Sequence, residues 1–286
     1  MGARAIGRTA CAGLLACALL VAAHASGRLS AQVAPNRATG YLHPTDVRDA
    51  RALWVNPAGL GTVTEASVYA ELVVADPGAK GRLQQLSAGF NSRGLSFGYQ
   101  RDVFEGGVRG STYRLGLGGA SEALAGGFAV AYYRGNTKGT GWDLGLTYAV
   151  APALTIGGVL ANIGQPRVRG LKQRVTMVPG FTWRPLGVAA ALSAHSRVTP
   201  DSVIGYAFGL GWQGDRNGRL PVAVFARLDT DGGLRRGAFS LGVSIGGPDR
   251  VGTVISTPGD VSGVDAVSLY GLSTRNAAGG RGGGRR

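Results

Sequence analysis

Residues 204–212 read Ile204-Gly205-Tyr206-Ala207-Phe208-Gly209-Leu210-Gly211-Trp212. A large apolar side chain holds every second position, and glycine or alanine fills each gap. A period of two is a β-strand, because successive side chains leave opposite faces. The pattern recurs upstream and downstream. Trp142, Leu144, Leu146 and Tyr148 oppose Asp143, Gly145 and Thr147, and Phe239, Leu241, Val243 and Ile245 oppose Ser240, Gly242 and Ser244. A strand of a soluble sandwich or barrel buries its large residues and turns Lys and Glu to water. Here the second face is small or weakly polar, which suits large residues in lipid and a crowded interior.

Working outward, the alternation and its turn residues mark about fourteen strand candidates. They fall near 66–74, 84–90, 95–104, 111–118, 125–134, 141–149, 154–163, 175–183, 187–196, 202–212, 221–229, 236–246, 251–257 and 264–272. Glycine is 50 of 286 residues and is interleaved with Leu, Val, Phe and Tyr rather than gathered in one linker. Hydrophobic content is 44 %, yet after residue 31 there is no apolar run long enough for a membrane-spanning helix. A membrane chain of this kind must then close its strands into a barrel. The expected fold is all-β: a transmembrane antiparallel β-barrel of about fourteen strands. Trp142, Tyr148, Trp183 and Trp212, near strand ends, fit interfacial girdles. Even-numbered connections read as short and odd ones as longer, with 213–220 an exception. A soluble periplasmic β-sandwich is the alternative, and it would bury the large apolar faces.

The N-terminus supplies the export context. Arg4 and Arg8 precede an apolar run from Ala10 to Ala23, and small-residue cleavage sites end at Ala25 or Ala31. Residues 1–31 read as a signal peptide, with Leu14-Leu15-Ala16-Cys17 a loose lipobox inside it. Both cysteines, Cys11 and Cys17, lie there, so the exported chain has no disulfide, thiolate ligand or cysteine nucleophile. Residues 32–48 are polar and irregular. Next comes Ala52-Leu53-Trp54-Val55-Asn56-Pro57-Ala58-Gly59-Leu60-Gly61. Asp49 to Val55 can form a short helix, which Pro57 ends by denying Asn56 the α region. Gly59 and Gly61 then permit a sharp turn into the first strand.

The spelling Trp54-x-Asn56-Pro57-Ala58-Gly59-Leu60 resembles the N-terminal hatch of FadL-type outer-membrane barrels and their secretion-associated relatives. The local match covers Ala52 to Gly61; the order of signal, hatch and strands extends the likeness over the whole chain. The resemblance implies that residues 32–61 are a leader and hatch plugging a 14-stranded barrel over 62–272. It also implies passage of a hydrophobic small molecule through the lumen. The chain is shorter than typical FadL-type transporters and its lumen is built of small residues, so a non-transporting scaffold for a secretion or processing partner is the alternative. Residues 273–286 read as a disordered Gly/Arg tail, a departure from the usual closing strand. It is compatible with a linker remnant of barrels fused to signal-peptide-peptidase domains.

Formal net charge is +14, and removing residues 1–31, which hold Arg4, Arg8, Arg28 and no acids, leaves +11. Export makes nucleic acid an unsuitable partner and points to lipopolysaccharide or phospholipid headgroups. The loop with Arg167, Arg169, Lys172 and Arg174 can meet such anions, or simply be solvated. Alternation aims Glu71, Arg114, Asp143, Arg227 and Asp229 into a barrel interior, where they can pair across the lumen or touch the hatch; the plain reading is strand-end charges near water. His43 and His195 lie apart in sequence with no ligand cluster, so neither a metal nor a cofactor is expected. Gly209-Leu210-Gly211-Trp212-Gln213-Gly214 spells G-x-G-x-x-G but leads into another strand, not the helix a dinucleotide needs. No G-x-S-x-G or P-loop occurs, and an enzyme is not expected.

Overall fold

A computed structural model describes residues 39–276, apart from 63, 76, 78–80, 105–106, 169, 188 and 215–220. The expected signal peptide 1–31, the start of the leader and tail residues 277–286 lie outside the described residues. The ring comprises β1 (Thr64–Ala75), β2 (Arg82–Ser92), β3 (Leu95–Val103), β4 (Arg109–Ala120), β5 (Leu124–Gly135), β6 (Thr137–Ala151) and β7 (Leu154–Ile163). A two-stranded ribbon follows, β8 (Arg167–Val168) and β9 (Leu171–Lys172). The ring resumes with β10 (Thr176–Trp183), β11 (Ala190–Thr199), β12 (Ser202–Gly214), β13 (Val222–Asp231), β14 (Arg236–Gly246), β15 (Asp249–Pro258) and β16 (Ala266–Asn276).

Fourteen of these strands pair with their sequence neighbours, β7 bridging to β10, and β1 closes on β16. Every pairing is antiparallel, and the closing register runs from Ala66↔Arg275 to Ala75↔Ala266. The result is a closed single-layer barrel, not a two-sheet sandwich. Closure leaves the fourteen-strand ring without a free edge; only the short β8–β9 ribbon ends in one, at β9.

The polarity of the wall is inverted relative to a soluble barrel. Leu117, Leu144, Leu146, Phe208, Leu210, Leu241 and Val243 are exposed on the outside, as are Trp142, Tyr148, Trp183 and Trp212. Inside lie Ser87, Ser96, Gln100, Thr112, Arg114, Asp143, Thr182, Ser193, Arg227 and Ser240, all buried. No helix among the described residues is long and apolar enough to cross a membrane.

Two expectations are corrected. Strand β16 runs four residues past the expected end at 272, so Ser273 to Asn276 are wall rather than tail. The reason lies in the opposite turn: Thr274 N–H donates to the Pro248 carbonyl at 2.8 Å, and Arg275 Nη1 to Asp249 Oδ1 at 2.9 Å. The contrast in loop length between the two rims is also weaker than expected. The rim away from the chain ends carries the long connection 164–175 but also the single residue Asn136 and the pair Pro200–Asp201.

Candidate functional site

Among the described residues, the two larger apolar clusters lie between the barrel and its own N-terminal segment, and two smaller ones lie between strands. Tyr41 and Ala50 cluster with Tyr69, Val254, Tyr270 and Leu272 of the wall. Val47, Ala52, Leu53 and Leu60 cluster with Ala129. Residues between Tyr41 and Leu60 therefore pack against the inward-facing side of the wall.

The motif folds as its residues dictate. Helix α1 is short, Ala52–Val55, and its last bond is Asn56 N–H to the Ala52 carbonyl at 2.9 Å. Asn56 is extended at φ −157°, ψ 107°, the conformation that a following proline imposes. A 3-10 helix, Pro57–Gly61, follows. The buried Asn56 side chain joins the parts: its carbonyl accepts from Ala58 N–H at 3.1 Å, and its amide donates to the Pro44 carbonyl at 2.9 Å. The wall opposite is cut back to glycine. A Cβ at Gly127 would overlap the Pro57 backbone, and one at Gly145 the Asn56 side chain. Leu53 reaches into the recesses left by Gly98 and Gly116. Trp54 lies against Arg114, whose guanidinium carbon is 5.2 Å from the ring centroid.

Polar contacts fasten the segment on the other sides. Arg114 Nη1 donates to the Leu53 carbonyl at 2.8 Å, and its Nη2 pairs with Asp143 Oδ2 at 2.7 Å, two strands along the wall over the small alanines of β5. Asp143 Oδ1 also accepts from the Asn162 N–H at 2.8 Å, where β7 bulges with Asn162 at φ 61°. Arg227 donates through Nη1 to the Leu42 carbonyl at 2.7 Å and forks onto Asp229 at 2.7 and 2.9 Å. Glu71 is 1 % exposed and forms no ion pair with a cation among the described residues. Of the expected interior set, four residues form two ion pairs that hold the segment, and Glu71 sits apart beside the Tyr41–Tyr69–Tyr270 cluster.

Sequence reading missed other fastenings. His43 and His195, 152 residues apart, meet through their Nδ1 atoms at 3.0 Å, His195 lying in the middle of β11. Burial pushes the His43 imidazole down to about 3; Arg227 acts the same way and Asp229 opposes it. Thr45 and Thr182 share a hydroxyl bond at 2.8 Å. Asp49 and Arg51 form a buried fork, with Arg51 also reaching the Tyr41 hydroxyl at 3.2 Å. Burial opposes ionisation of Asp49, but the Arg51 charge outweighs it and holds the carboxyl below its ordinary range.

Two cavities adjoin the segment. On the side away from the chain ends is a cavity of about 560 Å³, floored by Tyr41, Leu42, Pro44, Trp54 and Val55. A second of about 360 Å³, against Thr45, Arg48, Gly61 and Glu122, lies on the chain-end side and shares no lining residue with the first. The larger one falls within the roughly 300–1,000 Å³ of small-molecule sites. Of the basic loop, Arg167 and Lys172 pair within the β8–β9 ribbon, and Arg174 bonds Asp201 at 2.8 Å on the surface. Arg169 lies outside the described residues. Among the described residues, no three His, Cys, Asp or Glu side chains are grouped to hold a metal.

No protein-family model matches this chain. Nor does any curated protein. Solved structures do match. The CymD monoaromatic hydrocarbon channel aligns at TM-score 0.54 and 11 % identity, covering 84 % of this chain and 96 % of the channel. The toluene transporter TbuX of Ralstonia pickettii aligns at TM-score 0.54 and 13 % identity, covering 82 % of this chain and 98 % of the transporter. At such identity the likeness establishes the fold: a closed antiparallel barrel of the architecture used by these hydrocarbon channels.

Proposed function

We propose that this protein is an outer-membrane β-barrel whose segment 39–61 is a plug, set below a cup that receives small hydrophobic molecules from outside the cell. The observation that carries this reading is the inversion of polarity together with the cup. An exposed apolar belt, in a closed barrel with no free edge, is stable in a bilayer and aggregates in water. Both chain ends share one rim, which in this reading is periplasmic after signal-peptide export. The cup then opens outward, and Arg167, Lys172 and Arg174 stand where lipopolysaccharide phosphates lie. Tyr41, Trp54, Tyr133, Val159 and Val178 give the cup apolar surface for a ligand such as a monoaromatic hydrocarbon.

A second reading has support of its own. Backbone-close packing at Gly127 and the ring of buried polar bonds make the plug tight, as suits a scaffold that anchors a secretion or processing partner and passes nothing. Toluene separates the two. The refolded barrel, identified by a heat-modifiable gel shift, should bind toluene, and vesicles carrying it should admit toluene faster than empty ones. Toluene binding without faster uptake would favour the scaffold. Recovery of the native protein in the soluble periplasmic fraction would remove both readings.

A further inference from the structure

Three arginines line the larger cavity, and they are not equivalent. Arg114 is neutralised by Asp143 and Arg227 by Asp229, and each also donates to a carbonyl of the N-terminal segment. Arg197 of β11 does neither. Its Nε is buried without a hydrogen-bond partner, and no ion pair joins it to a carboxylate among the described residues. Gly205 of β12 is its register partner, and a Cβ there would come within 3.1 Å of Arg197 Nη2 while overlapping the Thr230 carbonyl. Glycine there lets the Thr230 backbone pack close beside the Arg197 guanidinium. Register slips at Asp229/Thr230, and Thr230, which lines the cavity, has its hydroxyl buried without a partner. Of the acids on the same strand, Asp229 acts on Arg197 only through space, without a direct contact. Asp229 accepts the fork of Arg227, and Asp231 Oδ1 accepts from the Gly233 and Arg235 N–H groups at 2.9 and 2.8 Å.

Two unsatisfied donors, one of them on a cationic side chain, in residues lining the same cavity make an anion acceptor. Unpaired donors in a partly dry wall are costly, and a carboxylate satisfies both through charge-assisted bonds. We propose that Arg197 and Thr230 anchor the carboxylate of a small organic acid whose apolar body lies in the same cavity against Val178, Val159 and Ile204. The aromatic residues of the lining, Tyr41, Trp54 and Tyr133, suit a ring-bearing acid best. This rests on the reading that the cavity takes small molecules, and refines it: the preferred ligand carries one negative charge.

The test uses the full exported chain refolded in detergent micelles and titrated calorimetrically with benzoate, benzamide and toluene. Benzoate should bind more tightly than its uncharged analogue benzamide. Arg197→Gln should weaken benzoate by about ten- to hundredfold, with toluene and benzamide within about twofold of the unaltered protein. Thr230→Val should weaken benzoate by a smaller factor, and Arg197→Lys should retain part of the preference. Retention of the heat-modifiable gel shift confirms that each variant is folded. Toluene binding with benzoate affinity unchanged in Arg197→Gln would overturn the carboxylate site and leave the cavity reading standing. Failure of all three probes to bind would overturn the cavity reading, and the carboxylate site with it.

Discussion

Shortening Leu53 to alanine probes the fit between the N-terminal segment and the wall. The side chain is fully buried, with its methyl groups in the recesses of Gly98 and Gly116. Leu→Ala changes in cores cost about 2–5 kcal/mol, more where the cavity cannot collapse. Here the opposing surface is β-sheet backbone held by ladders on both sides, which cannot move inward. We expect about 3 kcal/mol. The ring closes through β1 and β16 without help from the segment, so the loss falls on docking rather than on the barrel. At about 1.4 kcal/mol per tenfold, docking weakens more than a hundredfold. Hydrogen exchange read by mass spectrometry reports it: the amides of Asn56 and Gly59, bonded to the Ala52 and Asn56 carbonyls, should exchange more than a hundredfold faster. Amides of β10 to β16 should not change. Unaltered protection of 52–61, or acceleration spread evenly through the strands, would refute the reasoning.

Acid should loosen the same segment. His43 is held to about 3 when docked and reverts to 6.5 when released, so docking is at full strength above pH 6.5 and weakens as pH falls toward 3. The loss is about 1.4 kcal/mol per pH unit, or about 2 kcal/mol at pH 5, visible as a lower urea midpoint for Trp54 emission; His43→Gln should flatten the dependence. Leu210→Arg on the outer wall should cost roughly 2–4 kcal/mol of refolding stability in lipid, whereas arginine at the loop residue Leu234 should cost little. Deleting 277–286 should leave refolding intact, but deleting 273–286 should impair it, because Arg275 and its neighbours pair with β1 and Asp249.

The strands were legible because a large apolar outer face and a crowded, small-residue inner face leave a period-two signature that neighbours cannot erase. Their ends were not. Ser273-Thr274-Arg275-Asn276 looks like tail in isolation and is strand only because β1 and Asp249 stand opposite. The turn at Asn56-Pro57 was legible because proline acts locally, and the inward aim of Arg114, Asp143, Arg227 and Asp229 follows from alternation alone. Their partners do not: the parity of a strand says which way a side chain points, not what a segment from elsewhere in the chain offers it. The bond between His43 and His195 and the unpaired Arg197 are properties of closure and of the bulge near Thr230. A one-dimensional pattern carries neither.

The central claim is that the wall turns its apolar face to lipid while residues 39–61 sit within. The four tryptophans divide on this point: Trp142, Trp183 and Trp212 are 42, 45 and 55 % exposed on the outer wall, and Trp54 lines the inner cavity. Four variants, each keeping one tryptophan and carrying phenylalanine at the other three positions, can be refolded into bilayers with and without brominated acyl chains. Bromine quenches only on near contact. Trp142, Trp183 and Trp212 should be strongly quenched and Trp54 almost not at all. Trp54 quenched as deeply as the wall tryptophans, or wall tryptophans indifferent to bromine, would contradict it.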